Sequence, residues 1–209
     1  MKDSGYTLVY AAVMGTVCAL LLTGVGRFVQ PYREANQKSE KVRNILRVLE
    51  VPVPEEVGAR KLLEIYEQNV EKAQLGDLPL YRYVERSDRG GAVKAVAVGF
   101  EGQGLWGPVK GLLALEPDMK TIRGISFYEQ QETPGLGGEI ASPWFREQFV
   151  DKKIVGPEGE PGIRVVQGGG AEGPNAVDGI TGATMTGQKV EKMLNATITE
   201  ILENGTDVR

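Results

Sequence analysis

An α+β fold is predicted, with a single N-terminal transmembrane helix followed by a soluble domain of largely antiparallel sheet and packed helices. Three observations predict it. An uncharged apolar run, Tyr6 to Gly26, opens the chain. Short β-prone runs separated by Gly, Pro or Asp fill the middle. A long one-faced helical pattern closes it. The 209 residues have room for one membrane anchor and one ordinary domain that buries its own core.

Tyr6 to Gly26 is about long enough to cross a hydrocarbon core of roughly 30 Å, and Arg27 closes it. A cleaved signal peptide is the competing reading. The apolar core is long, however, and no Ala-x-Ala cleavage site precedes Arg27-Phe-Val-Gln-Pro31. Val17 stands before Cys18, where a lipoprotein-type cysteine wants a small residue. Ala11, Gly15, Ala19 and Thr23 form an i, i+4 row of small residues, which predicts a face for another membrane helix. Small residues are also simply common in such helices. Arg27, Arg33 and Lys38 after the span outnumber Lys2 before it, a balance that by count alone keeps the bulk of the chain in the cytoplasm. Long domains translocate regardless of such counts, so charge leaves the side open.

From Tyr32 to Leu49 the pattern is helical, with Val42, Ile45, Leu46 and Leu49 on one face, and Pro52 and Pro54 end it. A second helix is predicted from about Glu55 to Ala73, stopping near Gly76. Ala92–Phe100, Val109–Leu115 and Thr121–Tyr128 read as antiparallel strands. Ser142-Pro143-Trp144 sets an N-cap serine before a proline at the first helical position, starting a helix to about Val150. Ile163–Gln167 reads as another strand. Gln167 to Asp178 has no apolar period. Behind it Val190, Met193, Leu194, Thr197, Ile198, Ile201 and Leu202 follow i, i+3, i+4, i+7 spacing, with Gly205 as the stop. The predicted organisation is an anchor over 1–30, a helical connector over 31–78 that packs on the soluble domain, and a ligand-binding domain over 79–209.

Two absences bound the chemistry. The chain has no histidine, and its one cysteine, Cys18, lies inside the apolar run. Disulfides, zinc sites, thiolate catalysis and Cys-ligated clusters within the chain are excluded. The net charge of −4 gives no nucleic-acid footprint. Redox or group-transfer work therefore points to a bound organic cofactor. The 28 glycines are roughly double the usual share and cluster at 99–111, 135–138 and 168–173.

Three glycine-bearing motifs follow: Gly104-Leu-Trp106-Gly-Pro, Glu132-Thr133-Pro134-Gly135-Leu136-Gly137-Gly, and Asp178-Gly-Ile-Thr181-Gly182-Ala183-Thr184-Met185-Thr186. Each joins flexible backbone to a hydroxyl, an aromatic or an acid, the mix expected where main chain closes on a planar, phosphorylated ligand. The last motif falls at a helix start, where a phosphate is held. Each also has an ordinary reading. Thr-Pro-Gly makes a type II turn, with Pro134 at i+1 and Gly135 at i+2. Tryptophan is more often core than cofactor stack, which is the default for Trp106. Thr184 and Thr186 are also fit to cap the helix.

The motif Asp178-x-x-Thr181-Gly182-Ala183-Thr184-x-Thr186 resembles the flavinylation signature Asp-x-x-Ser/Thr-Gly-Ala-Thr of FMN-binding domains. Glu132-Thr-Pro-Gly-Leu-Gly-Gly resembles their second signature. With Gly104-Leu-Trp-Gly-Pro, Leu113-Ala-Leu-Glu116 and Asn44-Ile-Leu46 behind an anchor, nearly the whole chain is similar to one family of flavin subunits. The NqrC component of Na+-translocating NADH:quinone reductases belongs to it, with the RnfG component of Rnf complexes as the nearest relative. Thr181 stands where the family often has Ser, and Gly107 where Ser or Thr is common; both keep the backbone role.

The resemblance implies FMN joined by a phosphoester to Thr184, attached by a separate flavin transferase that uses FAD. It makes Asp178, Thr181, Gly182, Ala183, Met185 and Thr186 parts of the attachment signature, with Asp178 orienting the hydroxyl or binding the transferase's metal. A lasting metal site is not expected, since one acid supplies too few oxygen ligands. Thr133, Pro134, Gly135, Leu136 and Gly137 would lie along the ring system, with Trp106 stacked nearby. The implied function is an electron relay without a substrate site of its own, in a membrane complex that oxidises NADH and reduces quinone. Its partners would be other membrane subunits, a second flavin-bearing one among them, with the soluble domain on the periplasmic side of the bacterial inner membrane. NADH itself is not expected to bind, for want of a strand-linked Gly-x-Gly-x-x-Gly. The alternatives are the Rnf component, a sensory module that holds FMN reversibly, and an accessory protein whose Thr184 only caps a helix.

Overall fold

The fold is that of a computed structural model, which describes residues 2–54, 57–87 and 90–205. It divides into two units, Met1–Glu40 and Lys41–Arg209. The segments predicted on either side of Pro31 belong to one helix, α1 (Lys2–Val48). Within the first unit, the 26-residue stretch Gly5–Gln30 contains an 18-residue window of mean hydropathy 2.1, none of it buried. It is long and apolar enough to cross a membrane.

The second unit is α+β, as predicted. Five strands, β1 (Val70–Leu75), β2 (Leu78–Ser87), β3 (Gly90–Gln103), β4 (Pro108–Leu115) and β5 (Ile122–Glu129), pair in chain order. Every pairing is antiparallel. Both faces are covered. Val96, Val98 and Phe100 of β3, with Val109, Leu113 and Leu115 of β4, join Val190, Leu194, Ile198 and Ile201 of α4 (Thr184–Asn204) in one core. On the other face the strands offer Ala95, Ala97 and Ala114, together with Leu112. Ile45 and Leu46 of α1, Leu49 just past its end, and Leu62, Ile65 and Tyr66 of α2 (Ala59–Asn69) complete that second core. The alanines leave room for helices to lie close to the sheet.

The second predicted helix is corrected. It ends at Asn69, and Val70–Leu75 is an edge strand; its predicted start at Glu55 lies outside the described residues. Helix-compatible residues Glu71, Lys72, Ala73 and Gln74 are recruited by backbone pairing to β2, a tertiary gain that overrides propensity. The sequence reading also misses β2. Leu80, Tyr81 and Val84 are buried on opposite faces, so its apolar residues do not alternate cleanly.

Beyond β5 the chain makes a 3₁₀ turn (Gly137–Ala141) and a short helix, α3 (Pro143–Glu147). Ser142 caps α3 as predicted, its Oγ accepting from the Phe145 N–H at 3.3 Å. The helix stops at Glu147, short of the expected Val150, and the chain continues in turns. The predicted strand at 163–167 is β6 (Arg164–Val166). Its partner β7 (Ala176–Asp178) emerges from the stretch read as irregular, and the two run parallel. Helix α4 buries the predicted face apart from Leu202, which is exposed, and Gly205 is its C-cap.

Candidate functional site

The site is assembled where β7 hands over to α4. Past Asp178, the Gly179 N–H donates to the Val166 carbonyl at 2.7 Å, and the Ala183 N–H donates to the Ile180 carbonyl at 3.0 Å. Gly182 sits between them at φ +78°, a left-handed conformation natural to glycine. Ile180 and Ala183 are drawn into the core while Thr181, Gly182, Thr184 and Met185 stay outside. Helix α4 then begins at Thr184. Its N-cap is Ala183, which carries no side-chain acceptor, so neither Thr184 nor Thr186 serves as the cap. No side chain caps this helix start, and the N-terminus of a helix is a place of partial positive charge. Thr184, the first residue of the helix, is exposed.

Thr186, two residues on, is buried at 2% exposure, and its Oγ1 donates to Glu132 Oε2 at 2.6 Å. Glu132 belongs to the second motif, which leaves β5 as a turn. The Leu136 N–H donates to the Thr133 carbonyl at 3.1 Å and Gly135 has φ +75°, the type II geometry expected for Pro134 at i+1. The Gly138 N–H donates to the same carbonyl at 2.9 Å. Gly137 packs directly against the Glu132–Thr186 bond; a Cβ there would stand 2.6 Å from each oxygen. Leu136 reaches to 3.1 Å of where a Cβ would lie on Gly182, so the second and third motifs are in contact.

The first motif is the turn between β3 and β4, closed by the Gly104 N–H donating to the Gly107 carbonyl at 2.8 Å. The Leu105 and Trp106 N–H groups both donate to Glu132 Oε1, at 2.7 and 3.1 Å. Trp106 is 68% exposed and is not a core residue, contrary to the default for its type. Leu136 and Met185 are exposed as well.

Glu132 therefore ties all three motifs together; the sequence reading names it as the first residue of the second motif and gives it no role. Its signal was present: the one acid in a motif otherwise of glycine, proline, threonine and leucine. Asp178 stands apart from this knot. Its Oδ1 accepts from the Ala171 N–H at 2.6 Å, which secures the glycine-rich loop 168–173. Its backbone is held on both sides by Gln148, through Oε1 at 2.8 Å and Nε2 at 3.3 Å. Among the described residues no group of three or more His, Cys, Asp or Glu is arranged to hold a metal.

These residues fit a phosphorylated, flat, largely apolar ligand. The helix start without a side-chain cap suits a phosphate, the adjacent Thr184 hydroxyl can be esterified, and exposed Trp106, Leu136 and Met185 offer apolar contact to a ring system.

Comparison with known proteins agrees. Residues 104–199 match the family described as FMN-binding domain, a span that includes all three motifs up to the body of α4. The chain is 43% identical over 114 residues to the C component of the Na(+)-translocating NADH-quinone reductase of Yersinia pestis, covering 54% of this chain and 42% of that protein. The corresponding protein of Pasteurella multocida is 29% identical over 231 aligned positions, covering 90% of this chain and 88% of the relative. The crystal structure of the same reductase component from Parabacteroides distasonis superposes with a TM-score of 0.67 at 27% identity, over 85% of this chain and 97% of that one. The chain spans about two fifths of the length of the first curated relatives it matches.

Proposed function

Because residues 104–199 match the family described as FMN-binding domain, we propose that this chain is a membrane-anchored electron-transfer protein with FMN held as a phosphoester on Thr184. The complex it serves is a Na+-translocating NADH:quinone reductase, in which Gly5–Gln30 is the single span and the soluble domain lies on the periplasmic side. Residues 1–30 are the anchor, 31–78 the connector and 79–209 the flavin domain. Its partners are the other membrane subunits, one with a second flavin, and during maturation a flavin transferase. The observation that carries this reading is exposed Thr184 at a helix start without a side-chain cap, in a motif that contacts the second one through Leu136 and Glu132.

In the loading step the Thr184 oxygen forms a bond to the flavin-side phosphorus of FAD. The pyrophosphate bond breaks, AMP leaves, and the hydroxyl proton passes to solvent. The helix dipole and the first-turn N–H groups of α4 would favour the phosphoester anion there. The backbone of Thr181–Ala183 and Met185 keeps the turn open to the ligand. Thr133–Gly137 would hold the ring system, and Trp106 would offer it an aromatic face. Asp178 acts through the loop that its carboxylate holds at Ala171. Bound flavin supplies one- and two-electron chemistry that no side chain here can provide. A covalent link suits a relay, since the cofactor must stay at fixed distance from its neighbours through many turnovers.

The test is to coexpress the full chain with its transferase and read flavin fluorescence of the band after denaturing electrophoresis. Fluorescence is expected from the wild type and lost in Thr184→Ala. Fluorescence that persists in Thr184→Ala, or a wild-type band that is dark, overturns the assignment.

A further inference from the structure

We infer that Glu132 is a positioning residue for flavin loading: its buried carboxylate sets the first turn of α4 so that Thr184 presents its hydroxyl outward, in register with the Trp106 turn. The inference rests on the attachment reading above and adds a residue to it.

Glu132 is only 5% exposed. None of the ion pairs among the described residues involves it. Burying a carboxylate is costly unless its oxygens are hydrogen-bonded, and an apolar residue of similar volume would fill the space more cheaply. What the carboxylate gains is geometry. Oε2 accepts from Thr186 Oγ1 at 2.6 Å, and Oε1 accepts from the Leu105 and Trp106 N–H groups at 2.7 and 3.1 Å. At 3.6 residues per turn, two positions along a helix lie about 200° apart. Holding Thr186 inward therefore turns Thr184 outward. One rigid group thus fixes both the nucleophilic hydroxyl and the aromatic turn before any flavin arrives. Gly137 permits this, because a Cβ there would intrude on both Oε2 and Thr186 Oγ1. Transfer onto a hydroxyl depends steeply on its placement, and an error of about 1 Å can slow such a step about a hundredfold.

The experiment uses the purified full chain in detergent, free of flavin, with transferase and FAD, and follows covalent fluorescence over time. Each variant is assayed well below its own melting transition, with the folded fraction checked by circular dichroism. Glu132→Ala and Thr186→Val are expected to load at least about tenfold more slowly, the loss falling in the maximal rate and leaving the half-saturating FAD concentration unchanged. Glu132→Gln keeps an oxygen for the two amides and a polar partner for Thr186, and should restore loading to within about threefold of wild type. The double variant Glu132→Ala/Thr186→Val should be no slower than Glu132→Ala alone, because both act through one bond.

Loading of folded Glu132→Ala at the wild-type rate overturns the proposal, as do effects that multiply in the double variant. Should Glu132→Ala fail to fold, Thr186→Val decides, and wild-type loading of that variant overturns the proposal as well. A wild type that takes no covalent flavin, or a Thr184→Ala chain that does, overturns the attachment reading and this inference with it. Unloaded Thr184→Ala beside fast-loading Glu132→Ala removes the positioning role alone.

Discussion

Thr184 and Thr186 are the same residue type two positions apart, yet one hydroxyl is exposed and the other is buried against a carboxylate. Their difference comes from helix phase and from the presence of Glu132, not from anything local to either. A second carboxylate does local work at the turn between β4 and β5. Asp118 accepts from the Lys120 N–H at 2.8 Å, the Thr121 N–H at 2.9 Å and the Thr121 hydroxyl at 2.7 Å, while Met119 takes φ +57° beside it. Desolvation alone would raise the Asp118 pKa, but these bonds and the charge of Lys153 outweigh it and hold the group below its ordinary 3.8. A depressed carboxyl contributes stability above its unfolded pKa and loses it as pH falls through the folded value. Asp118→Asn should therefore melt below the wild type at pH 7, with the gap closing as pH drops below about 4. Melting curves between about pH 7 and about pH 2.5 check this; a gap that stays constant with pH would show that the charge plays no part.

Helix α4 is the element on which both core and site depend. Its start displays Thr184 and its body fills the sheet face with Val190, Leu194, Ile198 and Ile201. Leu194 has no exposed surface. Leu194→Ala should cost about 2–5 kcal/mol, whereas the exposed Leu202→Ala should change stability by roughly 0.5 kcal/mol or less. Urea unfolding measured on both variants tests the assigned face, and equal losses would contradict it. The face of α4 was legible because a helix with one covered side repeats its apolar residues at a single period. The strands β3, β4 and β5 were legible because β-prone residues run between clear breaks. The elements that escaped were β1, β2 and β7. Each owes its conformation to a partner strand: β1 is helix-compatible until β2 pairs with it, and β7 is three residues that β6 aligns.

At the scale of the molecule, every residue of both core clusters lies between 42 and 201, inside the unit Lys41–Arg209. Residues 41–209 expressed alone should thus fold as a soluble domain with a cooperative transition. The full chain should stay in the membrane fraction through an alkaline carbonate wash because of Gly5–Gln30. Release of the full chain by that wash would contradict the anchor, and a non-cooperative melt of 41–209 would contradict the autonomy of the domain. By itself the sequence determined what depends on near neighbours: a span set by run length, the Thr-Pro-Gly turn, the one-sided helix, and a helix-start hydroxyl motif in a chain without histidine. Only the tertiary structure decided that Trp106 is exposed, that Asp178 serves a loop, and that Glu132 joins three motifs. The partners of Glu132 lie 26, 27 and 54 residues away along the chain. No spacing rule reaches that far, because a buried carboxylate takes its donors from whatever the packed sheet and helix bring within hydrogen-bonding distance.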